Sequence, residues 1–301
     1  MKVNACTGCG GKQQVSYGSS EGFDEVIGQK KFTQEPYSIL KCSQCGLYYK
    51  DEVLDISQLN DYYNSFDFKA WEPAGNYPTE DIVEQFLQSK SGLKVLDYGC
   101  SEGRFISRFT ERHSCFGFDI DQRALALAEK KGVIVLNETA LTESKSRFDV
   151  IVLSDVFEHS MAPTKLVKDL LRMLNENGIL IITTGYADAK ACQYDLPHFW
   201  YFRTVQHVCM LGEKYISYLE EHEAVKVVEK KFCSHYRSGT GQRLFYGMRF
   251  WLFRFVNDNR KSLLVRAFSQ VPGLNKITRW KVLPYHPFSK DHIVLFMQRK
   301  G

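Results

Sequence analysis

The stretch Val95-Leu96-Asp97-Tyr98-Gly99-Cys100-Ser101-Glu102-Gly103 decides how this chain is read. An apolar run ends in an acid and passes into small residues at 99, 101 and 103. That pattern predicts a strand followed by a sharp turn whose backbone a ligand can approach closely. Sixteen residues past Gly103 a second predicted strand, Cys115–Asp119, also ends in an acid. A carboxylate there can accept hydrogen bonds from both hydroxyls of a ribose. The dinucleotide pattern G-x-G-x-x-G does not fit this register, because Arg104 stands at its last position. No Gly-Lys-Ser/Thr phosphate loop occurs either.

Outward from this turn, strands and helices alternate. Upstream, Thr79–Lys90 carries Ile82, Val83, Phe86 and Leu87 on one helical face. Downstream, helices are expected at Arg104–Arg112 and at Asp121–Lys131, with Asp121 as N-cap. Strands follow at Val133–Leu136 and Val150–Leu153, the latter apolar throughout, as suits burial on both faces. A helix Pro163–Leu174 with Gly178 as its C-terminal signal leads to a strand Ile179–Thr183. A helix at Glu213–Glu221 and strands at Val225–Glu229 and Ile293–Met297 complete the pattern. Such alternation predicts an α/β fold with a mostly parallel sheet covered on both faces. Ligands bind such sheets beyond the carboxyl ends of the strands.

In order along the chain, these features resemble a class I S-adenosylmethionine (SAM)-dependent methyltransferase. The resemblance rests on Asp97–Gly103, on Asp119, on Phe148-Asp149-Val150-Ile151-Val152-Leu153-Ser154-Asp155-Val156-Phe157-Glu158-His159, and on Leu174-Asn175-Glu176-Asn177-Gly178. It covers roughly residues 78–235. Ser101 stands where that family more often has glycine. The resemblance implies a Rossmann-like, seven-stranded sheet. It also implies cofactor contacts from Asp97, Gly99, Ser101 and Gly103 at the amino-acid end and from Asp119 at the ribose. Asn137 and Glu138 are expected near the adenine, and Asp155 is expected to border the cofactor.

Nine cysteines occur, four of them as Cys6-x-x-Cys9-Gly10 and Cys42-x-x-Cys45-Gly46, with 32 residues between the pairs. Two such turns can bring four thiolates to one tetrahedral, structural Zn²⁺. A redox thiol pair and an iron–sulfur site are the alternatives. Residues 1–50 are therefore expected to form a zinc ribbon. Residues 51–77 form an aromatic connector with Tyr62, Tyr63, Trp71 and Pro73, and 78–301 the larger domain. A ribbon followed by Gly46-Leu47-Tyr48-Tyr49 and Leu59-Asn60-Asp61-Tyr62-Tyr63 resembles the zinc-ribbon methyltransferases of sugar and surface-glycan biosynthesis.

Methyl transfer is a displacement at a sulfonium carbon, so alignment is the main task. A hydroxyl or carbon nucleophile can also require a base, for which histidine is suited near neutral pH. His198, within Leu196-Pro197-His198-Phe199-Trp200-Tyr201-Phe202, and His159, beside Glu158, are the candidates. The alternatives are a capping role for His159 and core packing for Phe199–Phe202. Tyr186 and Tyr201 are weaker candidates for substrate contact, and His207 reads as structural. Pro197 stands where sugar C-methyltransferases carry a glutamate before the second histidine, which tilts the expectation to O-methylation.

Composition narrows the partners. The chain has 301 residues and a formal net charge of +4, with 44% hydrophobic and 25% charged residues. The charge is uneven: between Thr240 and Val282 stand nine Lys/Arg and one acid, so the remainder is net acidic. A nucleic-acid-binding protein is not expected from this balance. The segment at about 240–282 reads as a helical, basic and aromatic insertion. One reading packs it on the sheet or in a dimer. The other gives it an anionic acceptor, such as a phosphorylated one, or a peripheral membrane contact through 243–266. No leader or apolar span is visible, so a cytoplasmic enzyme is expected. The expected acceptor is a sugar or glycan intermediate. The alternatives are a phenol, quinone precursor or polyketide, an RNA, and a SAM-binding or zinc-ribbon module without turnover.

Overall fold

The computed structural model describes residues 1–65, 75–143, 147–271 and 282–300. Trp71 and Pro73 of the connector, and part of the basic segment, lie outside these residues. The N-terminal part holds strands β1 (Gln14–Ser20), β2 (Phe23–Ile27), β3 (Lys30–Gln34), β4 (Tyr37–Cys42) and β5 (Tyr48–Lys50). Helices α1 (Ile56–Ser65) and α2 (Pro78–Gln88) lead to β6 (Lys94–Tyr98) and β7 (Ser114–Phe118). Next come α3 (Gln122–Lys130), β8 (Ile134–Val135), α4 (Glu138–Glu143), β9 (Phe148–Ser154), α5 (Pro163–Arg172) and β10 (Leu174–Gly185). A short α6 (Lys190–Gln193), β11 (Cys209–Met210), α7 (Glu213–His222) and β12 (Val225–Cys233) follow. Helices α8 (Thr240–Asp258) and α9 (Leu263–Gln270) and the strand β13 (His292–Arg299) end the chain.

The large sheet has the order β12-β13-β10-β9-β6-β7-β8. The run β10-β9-β6-β7-β8 is parallel, and β13 is antiparallel to both its neighbours. Sequence order reverses between β6 and β9, which opens a crevice at their carboxyl ends. Apolar side chains fill both faces. Ile151, Leu153, Leu180 and Ile182 pack in one cluster, and Val95, Val150, Val152 and Ile181 in the other. This is the seven-stranded, mostly parallel α/β fold expected from the sequence.

The ribbon region is continuous with the larger body. β5 pairs with β11, so the sheet β1-β4-β5-β11 draws its last strand from beyond residue 200. Buried Lys50 donates to the Thr204 carbonyl at 2.7 Å, and Tyr37 Oη donates to the Pro197 carbonyl at 2.7 Å.

Two local expectations differ from the structure. Arg104–Arg112 is no α-helix; it contracts to a 3₁₀ turn at Ile106–Phe109, because Phe105, Ile106 and Phe109 all face the core. Gly178 lies within β10 rather than capping a helix, where a Cβ would stand 2.9 Å from the Phe148 carbonyl oxygen. In α8 the buried face is Phe250, Phe253 and Val256, while Leu244, Met248 and Trp251 are exposed. Among the described residues no helix is long and apolar enough to cross a membrane.

Ile151 has no solvent exposure in β9, between β10 and β6. Ile151→Ala should lower unfolding free energy by about 2–5 kcal/mol in urea denaturation, the usual cost of a cavity in a closed core.

Candidate functional site

The crevice begins where β6 gives way to its loop. Gly99 and Cys100 N–H both donate to the Phe118 carbonyl, at 2.7 and 3.0 Å, so the loop folds back over the end of β7. Gly99, Ser101 and Gly103 have φ of 87°, 50° and 72°. Ser101 is thus a non-glycine in left-handed backbone, at the position where the resemblance expects glycine. Its N–H donates to Asp119 Oδ2 at 2.8 Å, and Asp121 N–H donates to Oδ1 at 2.9 Å. Asp119 is therefore pinned by the loop on one side and by the start of α3 on the other. The Asp121 side chain in turn caps α3 through Arg123 N–H. Cys100 is buried beside Gly117, where a Cβ would stand 2.7 Å from the Cys100 Sγ.

The notch is lined with acids. Asp97 is buried, and its carboxyl is pushed up to about 7, first by burial and then by Asp119 and Glu80. Burial also raises Asp119. Glu80 is held by an ion pair with Arg104. Buried carboxylates that repel one another favour a cationic ligand, and a sulfonium or ammonium group fits this donor set. Asn137 Oδ1 accepts from Ala140 N–H at 2.7 Å and so caps α4, whose first residue is Glu138; both are exposed beyond β8.

A second group sits beyond β9. Asp155 follows the strand with φ 50°, and its carboxyl is raised to about 7, chiefly by burial. Glu158 has no solvent exposure. Its Oε1 accepts from Tyr201 Oη at 2.5 Å and its Oε2 from Thr184 Oγ1 at 2.9 Å. His207 Nε2 is 3.9 Å from Oε1. The rings of His159 and His207 meet edge to face at 4.9 Å, and His159 Nδ1 is 2.7 Å from Tyr63 Oη. Burial lowers the pKa of His159 and lowers that of His207 further. Both imidazoles are therefore neutral near pH 7, as a proton acceptor needs to be.

His198 is placed elsewhere. Its Nδ1 is 2.8 Å from Asp195 Oδ1, its Nε2 is 3.6 Å from Glu21 Oε2, and the Asp195 hydrogen bond raises its pKa. Among the described residues it shares no hydrogen bond with the Glu158 group. Phe199, Tyr201 and Phe202 are core residues, and the Tyr186 hydroxyl faces Glu213. Sequence reasoning gave no role to Glu158, Tyr63 or His207 as partners. The adjacent pair Glu158-His159 was the only local signal for them.

At the other end, Cys6, Cys9, Cys42 and Cys45 bring their Sγ atoms within 4.8 Å of one another. Cys6 and Cys45 are 3.4 Å apart and Cys9 and Cys42 3.5 Å. A tetrahedral ZnS₄ unit with 2.3 Å bonds has edges of about 3.8 Å, so the four thiols fit one zinc ion. Gly8 and Gly11 N–H donate to Cys6 and Cys9 Sγ at 3.3 and 3.4 Å. Gly46, at φ 80°, lets the second turn close against Lys214, where a Cβ would stand 2.5 Å from the lysine Cβ.

Residues 64–222 match the model of a family described as a methyltransferase domain. A ubiquinone biosynthesis O-methyltransferase of Leptothrix cholodnii is 24% identical over 142 residues, 41% of this chain and 60% of that protein. A tRNA U34 carboxymethyltransferase of Campylobacter jejuni is 28% identical over 157 residues, 46% of this chain and 53% of that protein. The chain thus spans only between half and two thirds of these relatives. The structure of a magnesium protoporphyrin IX methyltransferase from Synechocystis with bound SAM aligns with TM-score 0.45 and 16% identity, over 62% of this chain and 93% of that one.

Gly99→Ala should destabilise the loop by at least about 1 kcal/mol. Its φ is unfavourable for alanine, and the added Cβ would lie 2.3 Å from Val156 Cγ2. A thermal melt and ligand titration of this variant should both fall below wild type, and unchanged values would contradict the loop geometry.

Proposed function

Because this chain belongs to the methyltransferase-domain family, we propose that it binds SAM in the notch of Asp97, Gly99, Ser101, Gly103 and Asp119 and methylates a hydroxyl of a sugar or glycan intermediate. The observation that carries the reading is the acid-lined, glycine-rich turn at the crevice where sheet order reverses. Bound SAM supplies a sulfonium methyl, whose carbon bonds to the acceptor oxygen as the carbon–sulfur bond breaks with its electron pair to sulfur. The chain must bind, align and take up the hydroxyl proton.

Asp119, fixed by two backbone N–H groups, presents a carboxylate to ribose hydroxyls. Asp97 offers a buried negative charge to the cationic end. His159 is the better-placed base: it is neutral, and in the tautomer whose Nδ1–H donates to Tyr63 Oη its Nε2 carries the lone pair that receives the proton. Tyr63 is a positioning residue, reaching the site from α1. A sugar acceptor is supported by the polar character of this edge, with Glu158, His159 and His207 facing one another. A phenolic quinone precursor is the second reading, favoured by the similarity to a ubiquinone biosynthesis O-methyltransferase. The Cys6-Cys9-Cys42-Cys45 set holds a structural zinc in this proposal, with all four positions taken by thiolates.

Calorimetric titration with SAM tests the reading. Asp119→Ala should weaken binding at least tenfold, roughly what a hydrogen bond to a charged group contributes. Affinity should rise between pH 6 and pH 8, because a cation favours ionised Asp97, whose carboxyl titrates at about 7. No binding by folded wild type overturns the proposal. With nucleotide sugars and polyphenols offered side by side, a methyl gained by one panel chooses between the acceptors.

His159→Ala should lower turnover by about 10²–10⁴-fold while leaving SAM affinity unchanged. An equal loss from His198→Ala alone would reassign the base. Cys42→Ser should remove one zinc equivalent per chain and lower the melting temperature, read by elemental analysis and calorimetry.

A further inference from the structure

Asp155, His235 and His292 come together at the carboxyl edge of the large sheet, from three distant parts of the sequence. Asp155 follows β9, His235 lies two residues beyond β12, and His292 opens β13. Cys233 pairs with His292, and His292 pairs with Gly185 at the end of β10, so all three residues share one rim. One ligand atom from each lies within 4.8 Å of the others.

Each of the three residues also carries a polar atom with no partner among the described residues. Asp155 Oδ1, His235 Nδ1 and His292 Nε2 are all buried without a hydrogen bond. His292 has no solvent exposure, and His235 is 9% exposed. Three orphaned polar atoms facing one another are costly unless something fills the space between them. Asp291 adds a constraint: its Oδ1 accepts from His235 N–H at 3.1 Å and lies 3.2 Å from His292 Nδ1. A proton held on Nδ1 leaves the Nε2 lone pair free and aimed inward, the arrangement that orients metal-bound histidines through a carboxylate. Aromatic rings fix both imidazoles. Trp200 stacks on His292 at 6.0 Å and 13°, and Tyr77 lies 4.8 Å from His235.

The neighbouring set Glu158-His159-His207 is equally compact, but among the described residues none of its side-chain atoms is a buried orphan. Both oxygens of Glu158 accept hydroxyl hydrogen bonds, and both histidine Nδ1 atoms have partners. The contrast is between a set anchored by hydrogen bonds and one whose inward atoms are orphaned.

We propose that Asp155, His235 and His292 bind one divalent transition-metal ion, which holds adjacent oxygens of the acceptor. Two imidazoles and a carboxylate suit zinc, cobalt, manganese or iron(II) better than magnesium or calcium. Three protein ligands leave positions open for the ligand's oxygens, unlike the closed Cys₄ set. Vicinal hydroxyls, as on a sugar or a catechol, would chelate it. Binding of the ion stands on the geometry alone; its role toward the acceptor rests on the methyl-transfer reading.

The experiment is titration of the metal-free protein with Co²⁺, followed by absorption. Wild type should take up two ions, one with thiolate charge-transfer bands from the Cys₄ set and one without. His235→Asn, His292→Asn and the near-isosteric Asp155→Asn should each weaken the second ion at least tenfold. The thiolate bands should persist in all three, which also reports that each variant is folded. Uptake of a single, thiolate-bound ion by wild type overturns the proposal, as does a second ion indifferent to all three substitutions. SAM calorimetry on the same samples keeps the two readings apart. Two cobalt ions without SAM binding would sink the methyl-transfer reading alone, and SAM binding with one cobalt ion would sink the metal site alone.

Discussion

Much of this structure depends on a buried carboxylate, Glu158, being fully satisfied. A charge with no exposure is costly unless hydrogen bonds replace its water. Here Tyr201 and Thr184 do so from two different segments, and the Glu158 carbonyl accepts from Val208 N–H at 2.8 Å. One residue thereby ties the exit of β9 to β10, to the aromatic segment near 200, and to the approach to β11. Since β11 pairs with β5, the ribbon sheet is registered on the larger body through the same knot. Tyr201 Oη also accepts from Gly185 N–H, which seats the end of β10 where His292 meets it.

The crevice has two chemically different halves. On the β6–β7 side, Asp97 stands with Asp119 and Glu80, and burial together with their charges raises its carboxyl to about 7. Beyond β9 the rim carries histidines, hydroxyls and aromatic rings, with burial keeping His159 and His207 neutral. The sheet order brings the two halves together, because β6 and β9 are adjacent in space but separated by two strands in sequence.

Local pattern was readable where one element alone decides the outcome. Asp121 caps α3 as its position suggested, since a cap needs only its own turn. The acid-ended strands and the glycine-rich turn were legible for the same reason. Reading failed where packing overrode propensity. Phe105, Ile106 and Phe109 are drawn into the core together, which tightens Arg104–Arg112 into a 3₁₀ turn. Gly178 reads as a helix stop but serves close approach to the Phe148 carbonyl between paired strands. In α8, aromatic residues occupy nearly every face, so periodicity could not tell which side the protein covers.

By itself the sequence determined the α/β class, the position of the acid-lined turn, the Asp119 carboxylate and the four cysteines. Each is encoded within a few residues or in a fixed spacing. Only the tertiary structure decided which histidines meet. Along the chain His198 was the first candidate and His159 the second, yet one lies with Asp195 and Glu21 and the other with Tyr63 and His207. Asp155, His235 and His292 carry no shared motif at all. They converge because an antiparallel pair at one edge of the sheet returns its ends to the rim where the parallel strands finish. Strand pairing over long sequence separations creates such proximity, and local pattern holds no record of it.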